Sequence, residues 1–171
     1  SIMFNQHFGV LNDLLAKLGI IKEPIAWLAN TKFVLGSVIV AELWRGIPFF
    51  AISLLAAMQG LPDDIYEAAR VDGSTKFQTF RFITLPMLKN TIVLTTLLRT
   101  IWEFNSVDLI YSLTGGGPVG KTTTLSMLIA NQAIKTSNYG YGSALSVVSF
   151  AILAVIAVIY MKLSGFGKEE A

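Results

Sequence analysis

Glu67-Ala68-Ala69-Arg70-Val71-Asp72-Gly73, followed after nine residues by Ile83-Thr84-Leu85-Pro86, is a polar island between two long apolar segments. Pro62-Asp63-Asp64 supplies a helix start ahead of it. Proline suits the first turn, and carboxylates there meet unpaired amide hydrogens and the positive end of the helix dipole. A helix of about two turns is therefore predicted over 65–72, ended by Gly73, because glycine adopts the left-handed conformation that closes a helix. Ser74 is placed to cap a second short helix at roughly 75–83, and Pro86 to begin the next long one. Helices this short are marginal alone and need a partner surface. The small Ala68 and Ala69 let such a surface approach the backbone. Glu67 and Arg70, three positions apart, can form directional ion pairs across it. The plain alternative is a helical hairpin that merely links two membrane spans.

Composition agrees with a membrane setting. The 171 residues are 53% apolar and only 14% charged, with a mean hydropathy of +0.61. A soluble domain of this size keeps more polar surface in water. A net charge of +2 gives no electrostatic case for nucleic acid. The absence of cysteine excludes disulfides and thiolate metal sites. His7 is the only histidine, which excludes histidine-pair zinc motifs. Ser1-Ile2-Met3 is expected to be neither a signal peptide nor a natural start, since no basic region followed by an apolar core is seen there.

Three segments have about the ~20 residues that a bilayer crossing needs: 33–58, 91–113 and 143–163. The third carries no charge between Ser143 and Tyr160. In segment 1–32, Phe8, Leu11, Leu14, Leu15 and Leu18 recur at helical spacing, as in an interfacial amphipathic helix or an ordinary packing helix. Loop 59–90 holds Arg70, Lys76, Arg81 and Lys89, against Lys17, Lys22 and Lys32 in 1–32 and Lys121 and Lys135 in 114–142. The positive-inside rule leans toward a cytoplasmic 59–90, with 1–32 and 114–142 outside and a cytoplasmic tail at 164–171.

The spacing EAA-x3-G-x9-I-x-L-P closely resembles the cytoplasmic coupling loop of binding-protein-dependent ABC importer permeases. Phe8-Gly9-Val10-Leu11-Asn12, Trp27-Leu28, Trp44, Pro48-Phe49 and Leu113-Thr114-Gly115-Gly116-Gly117-Pro118 look like the carbohydrate-uptake branch, the maltose-type and glycerol-phosphate-type permeases. The resemblance implies an all-α, polytopic inner-membrane protein of a bacterial cell. Three transmembrane helices would flank the coupling loop, which would include Glu67, Ala68, Ala69, Arg70, Asp72, Gly73, Ile83, Leu85 and Pro86. It implies a subunit that performs no catalysis and holds no cofactor, with ATP and Mg²⁺ bound by a partner. The implied partners are two ATP-binding cassette subunits, a second permease subunit, an extracytoplasmic sugar-binding protein and membrane lipid. Such permeases have about six spans, so the chain is expected to be the C-terminal portion of one.

Gly115-Gly116-Gly117-Pro118-Val119-Gly120-Lys121-Thr122 satisfies G-x4-G-K-[ST], the pattern of a nucleotide-binding P-loop. A P-loop enzyme also needs a second acidic residue for Mg²⁺. No Asp or Glu lies between Lys121 and Glu169. A glycine-rich turn is the simpler expectation; nucleotide binding there, or a membrane scaffold without transport, are the alternatives.

Polar groups within the apolar segments are costly in lipid and should face the bundle interior or a water-filled path. Arg99 and Glu103 are spaced to pair on one helix face, as are Glu42 and Arg45. Asn105 and Asp108, three apart, are expected on one face near Trp102 and Tyr111. Amide and carboxylate groups beside aromatic rings suit a sugar, so Trp44, Trp102, Asn105, Asp108 and Tyr111 are the substrate-path candidates. Pro48 is placed to kink the first span, and Ser143, Ser146 and Ser149 line one face of the third, where small residues pack helix on helix.

Overall fold

A computed structural model describes residues 2–166. Every regular element among them is helical. A 3-10 turn at Ile2–Phe4 precedes α1 (Val10–Lys17), and two short helices, α3 (Asp63–Val71) and α4 (Lys76–Thr79), follow the long α2 (Val34–Gln59). A π turn, Phe80–Thr84, leads into α5 (Leu85–Met87) and α6 (Lys89–Asn105). Then come α7 (Asp108–Thr114), α8 (Leu125–Ala130) with a π turn at Asn131–Lys135, and α9 (Tyr139–Ser164).

Helices α2 and α9 have 26 residues each. At about 1.5 Å per residue each exceeds the ~30 Å hydrocarbon thickness. A soluble core helix of such hydropathy would be covered by its neighbours, whereas only 6% of the most apolar window of α9 and 11% of that of α2 is buried. Ile52, Phe150 and Val147 remain 69%, 73% and 68% exposed. Apolar surface on this scale is lipid- or partner-facing. These two helices are long and apolar enough to cross a membrane, and they contain the expected spans 33–58 and 143–163 apart from Phe33. Pro48 is accommodated inside α2, which runs on to Gln59.

The expected middle span, 91–113, differs. It is not one helix: α6 ends at Asn105, Val107 is the N-cap of the next helix at φ −118°, and α7 starts at Asp108. The carboxylate of Asp108 stands in the first turn of α7, where the dipole favours it more than mid-helix would. The 17 residues of α6 give only about 26 Å, short of the hydrocarbon thickness.

The chain forms two compact units, one drawing on residues up to Arg45 and on Phe104–Ala151, the other on Gly46–Glu103 and residues from Ile152 onward. In the first, the buried residues include Val34, Val38, Met127, Asn12, Thr122 and Ser149; in the second, Ala69, Thr84, Leu88, Val93 and Thr95. The expected amphipathic helix in 1–32 is the eight-residue α1, with Phe8, Leu14 and Leu18 exposed. The expected tail 164–171 is described only to Phe166; 167–171 lie outside the described residues.

Candidate coupling loop and intramembrane polar groups

Helix α3 starts after Pro62 with Asp63 and Asp64 in its first turn. It closes in a Schellman motif: the Ser74 amide donates to the Ala69 carbonyl at 2.9 Å and the Gly73 amide to the Arg70 carbonyl at 3.1 Å. Gly73 makes this possible at φ +75°. The second helix is capped one residue later than expected. Thr75, not Ser74, accepts from the Gln78 amide, while Gln78 Oε1 accepts from the Thr75 amide at 2.8 Å. This capping box was legible as Thr-x-x-Gln. The helical run then passes through the π turn to Pro86, which lies inside α5 and contributes no amide hydrogen.

The two arms of the hairpin are tied where Tyr66 Oη meets Thr84 Oγ1 at 3.2 Å, with Thr84 3% exposed. Ala69 is only 4% exposed, so its small side chain is not open to a partner surface. Glu67, Ala68, Arg70, Asp72, Gly73 and Pro86 are exposed, and Ile83 and Leu85 half-buried. The Glu67 side chain makes no hydrogen bond or ion pair among the described residues, and Arg70 Nε donates only to the Tyr66 carbonyl, at 3.4 Å. The exposed face also carries Val71, Phe77 and Phe82, at 88%, 75% and 72% exposure. These apolar residues were not singled out in the sequence, because their spacing fits no single helix face across the Gly73 break.

The expected intrahelical ion pairs are present. Arg99 pairs with Glu103 on α6, and Arg45 Nη2 lies 2.9 Å from Glu42 on α2 and donates to Ser106 Oγ at 3.1 Å. An added Cβ at Gly46 would stand 3.1 Å from Arg99 Nη2, so the missing side chain leaves room for the guanidinium. Trp102 packs on Phe49 with ring centroids 5.0 Å apart. Trp44 is 75% exposed. Asn105 and Asp108 fall on different helices, so helical spacing does not place them on one face. Asp108 and Tyr111 do come together, in a 320 Å³ cavity that Asn131 and Lys135 also line. On α9, Ser143 and Ser146 donate back to the carbonyls of Tyr139 and Gly142, and Ser149 is 6% exposed.

The glycine-rich segment is a self-satisfied turn. It follows helix α7 instead of a strand, and Gly115 ends that helix at φ +60°. Thr122 Oγ1 donates to the Gly117 carbonyl at 2.9 Å and meets Thr114 Oγ1 at 2.7 Å, with Thr122 4% exposed. The hydroxyl that a P-loop offers to Mg²⁺ is thus engaged inside the turn. Among the described residues no group of three or more His, Asp or Glu is placed to hold a metal ion.

Residues 3–165 match the family model of the binding-protein-dependent transport system inner membrane component. The chain is 38% identical over 169 residues to the trehalose/maltose transport system permease protein of Thermococcus litoralis, covering 99% of this chain and 56% of that protein. It is 39% identical over 160 residues to the sulfoquinovosyl glycerol transport system permease protein of Agrobacterium fabrum, covering 94% and 51%. The chain thus spans about half the length of the curated relatives it matches. Its fold is similar to a chain of the bacterial alginate ABC transporter solved with an alginate pentasaccharide-bound periplasmic protein. That match has a TM-score of 0.82 at 23% identity, over 95% of this chain and 56% of the other.

Proposed function

The chain belongs to the binding-protein-dependent transport system inner membrane components, and from that premise we propose that it is the coupling and pathway-lining part of a permease subunit in an ATP-driven carbohydrate importer. The names of its relatives support a sugar cargo, and the periplasmic protein in the alginate transporter structure supports a binding-protein partner. Two ATP-binding cassette subunits bind and hydrolyse ATP with Mg²⁺, and a second permease subunit completes the path. In this reading α2, α6 with α7, and α9 are three crossings. The hairpin within 59–90 faces the cytoplasm, and 1–32 and 114–142 face the binding protein.

The observation that carries the reading is the braced hairpin with its exposed polar and apolar docking face. Its Schellman closure, capping box and Tyr66–Thr84 contact make it a stiff knob. Glu67 and Arg70 offer charge-assisted contacts to the ATPase surface, while Val71 and Phe77 offer apolar area. The ATPases close on ATP and open after hydrolysis. A stiff knob passes that movement through Leu88, which is 4% exposed at the head of α6, along the helix that carries Arg99, Trp102 and Glu103. In this account Trp44, Trp102, Asn105, Asp108 and Tyr111 are each candidates for contact with the moving sugar.

Glu67→Lys tests the reading in the assembled transporter. Charge reversal at an exposed docking residue should weaken ATPase association and lower uptake at least about tenfold, as a loss of about 1.4 kcal/mol predicts. Unchanged co-purification of the ATPase together with unchanged uptake would refute the coupling assignment.

A further inference from the structure

The gap between α6 and α7 has no proline or glycine to cause it. Glu103-Phe104-Asn105-Ser106-Val107-Asp108-Leu109 runs through it, and Ser106 and Val107 belong to neither helix. Asparagine, serine, valine and aspartate form helix weakly, but weak propensity does not by itself break a helix inside an apolar segment. Sharp breaks without proline or glycine arise where a side chain enters the ladder of backbone hydrogen bonds.

That side chain is Ser126. In an unbroken helix the Phe104 carbonyl accepts from the Asp108 amide, four residues on. Here no such bond joins them, and the Ser126 hydroxyl on α8 donates to the Phe104 carbonyl instead. A serine on a neighbouring helix is one of the means by which a freed carbonyl is satisfied in a membrane. A second side chain holds the gap itself: Arg45 Nη2, beside Glu42, donates to Ser106 Oγ at 3.1 Å. Arg45, Phe104, Ser106 and Ser126 all belong to the same compact unit. The mount of Ser126 belongs to it too. Thr124 Oγ1 caps α8 by accepting from the Met127 amide at 3.3 Å. Met127 is 1% exposed, and its sulfur would stand 3.3 Å from a Cβ added at Gly116, so α8 sits tightly on the glycine-rich turn.

We propose that Ser126 is a positioning residue that keeps the middle apolar segment in two helices, and that the segment closes into one helix when α8 releases the Phe104 carbonyl. With the bond from 108 to 104 closed, Asn105 and Asp108 stand three positions apart on one helix and share a face. With Ser126 in place they belong to different helices. Because α8 is mounted on the glycine-rich turn, a displacement of 114–130 reaches Asn105 and Asp108 through one hydroxyl. The inference deepens the transport reading above and rests on it, since the aim of Asn105 and Asp108 matters through the cargo that passes them.

The test is hydrogen exchange at the amides of 106–108 in the full-length permease, assembled in its transporter in lipid nanodiscs. Ser126→Ala removes the donor and returns the Phe104 carbonyl to the Asp108 amide. Exchange there should slow about tenfold, the factor that one ordinary hydrogen bond sets. Ser126→Thr keeps the hydroxyl and should exchange as the unsubstituted protein does. Loss of a merely structural contact would act in the opposite direction, loosening the junction and speeding exchange. Ser126→Cys keeps the side-chain volume and weakens the donor; it should also slow exchange, and it serves where the alanine variant does not assemble. Faster or unchanged exchange at 106–108 in the alanine or cysteine variant would overturn the proposal, as would equal slowing in the threonine variant. The measurement needs no sugar. A transporter that imports no carbohydrate therefore defeats the transport reading, whereas unchanged exchange in a working importer defeats the latch.

Discussion

Asn12 is 6% exposed and satisfies partners on both sides of its amide. Nδ2 donates to the carbonyls of Gln6 and Ile25 at 3.0 and 2.9 Å, while Oδ1 accepts from the Ile25 amide at 3.2 Å and from Trp27 Nε1 at 2.8 Å. One side chain thus fastens α1 to the segment that leads into α2, where Trp27 also packs edge-on against Phe33. Asn12→Ala strands several polar groups at once, each costing about 1–3 kcal/mol when left buried and unpaired. The expected outcome is a clear fall in the thermal midpoint of the purified protein, with Asn12→Asp intermediate because it keeps the acceptor and loses the donor. An unchanged midpoint for the alanine variant would remove Asn12 as the fastening point. The sequence marked this asparagine only as part of a family pattern, since nothing local to it reveals partners at 25 and 27.

At the scale of elements, the hairpin is held by backbone chemistry at Gly73 and Thr75. Any L-residue at φ +75° is strained by about 1–2 kcal/mol, and removal of a capping hydroxyl costs about 1 kcal/mol. In Gly73→Val combined with Thr75→Ala, α4 should lose its hydrogen-exchange protection while α2 and α9 keep theirs. Equal protection of the amides of 76–79 in both proteins would show that docking geometry, not capping, holds this segment. The Pro62 start, the Gly73 stop and the acidic first turn were all readable beforehand, because helix ends are written in residues close in sequence. The Tyr66–Thr84 contact was not, since its partners are 18 residues apart in sequence.

For the whole molecule, the decisive property is apolar surface without intramolecular cover. Helices α2 and α9 expose most of their apolar side chains, as a protein does when lipid or partner subunits supply the solvent. Whether α6 and α7 together make a third crossing is testable by sidedness. With single thiols at Arg70→Cys and Lys121→Cys in right-side-out vesicles, a membrane-impermeant maleimide should label position 121 and spare position 70 until the vesicles are opened. Labelling of both from the outside would place the hairpin and the glycine-rich turn on one side and defeat the three-crossing arrangement. What the sequence by itself determined was the helical, apolar character, the acidic start and glycine stop of the first hairpin helix, and the family. Each is carried by composition or by spacing within a few turns. Only the tertiary structure decided that the middle apolar segment breaks at 106–107, that Thr122 closes a turn from within, and that Asp108 and Tyr111 share a cavity with Asn131 and Lys135. Those outcomes depend on groups distant in sequence that meet only once the chain has folded, and hydropathy and periodicity hold no record of them.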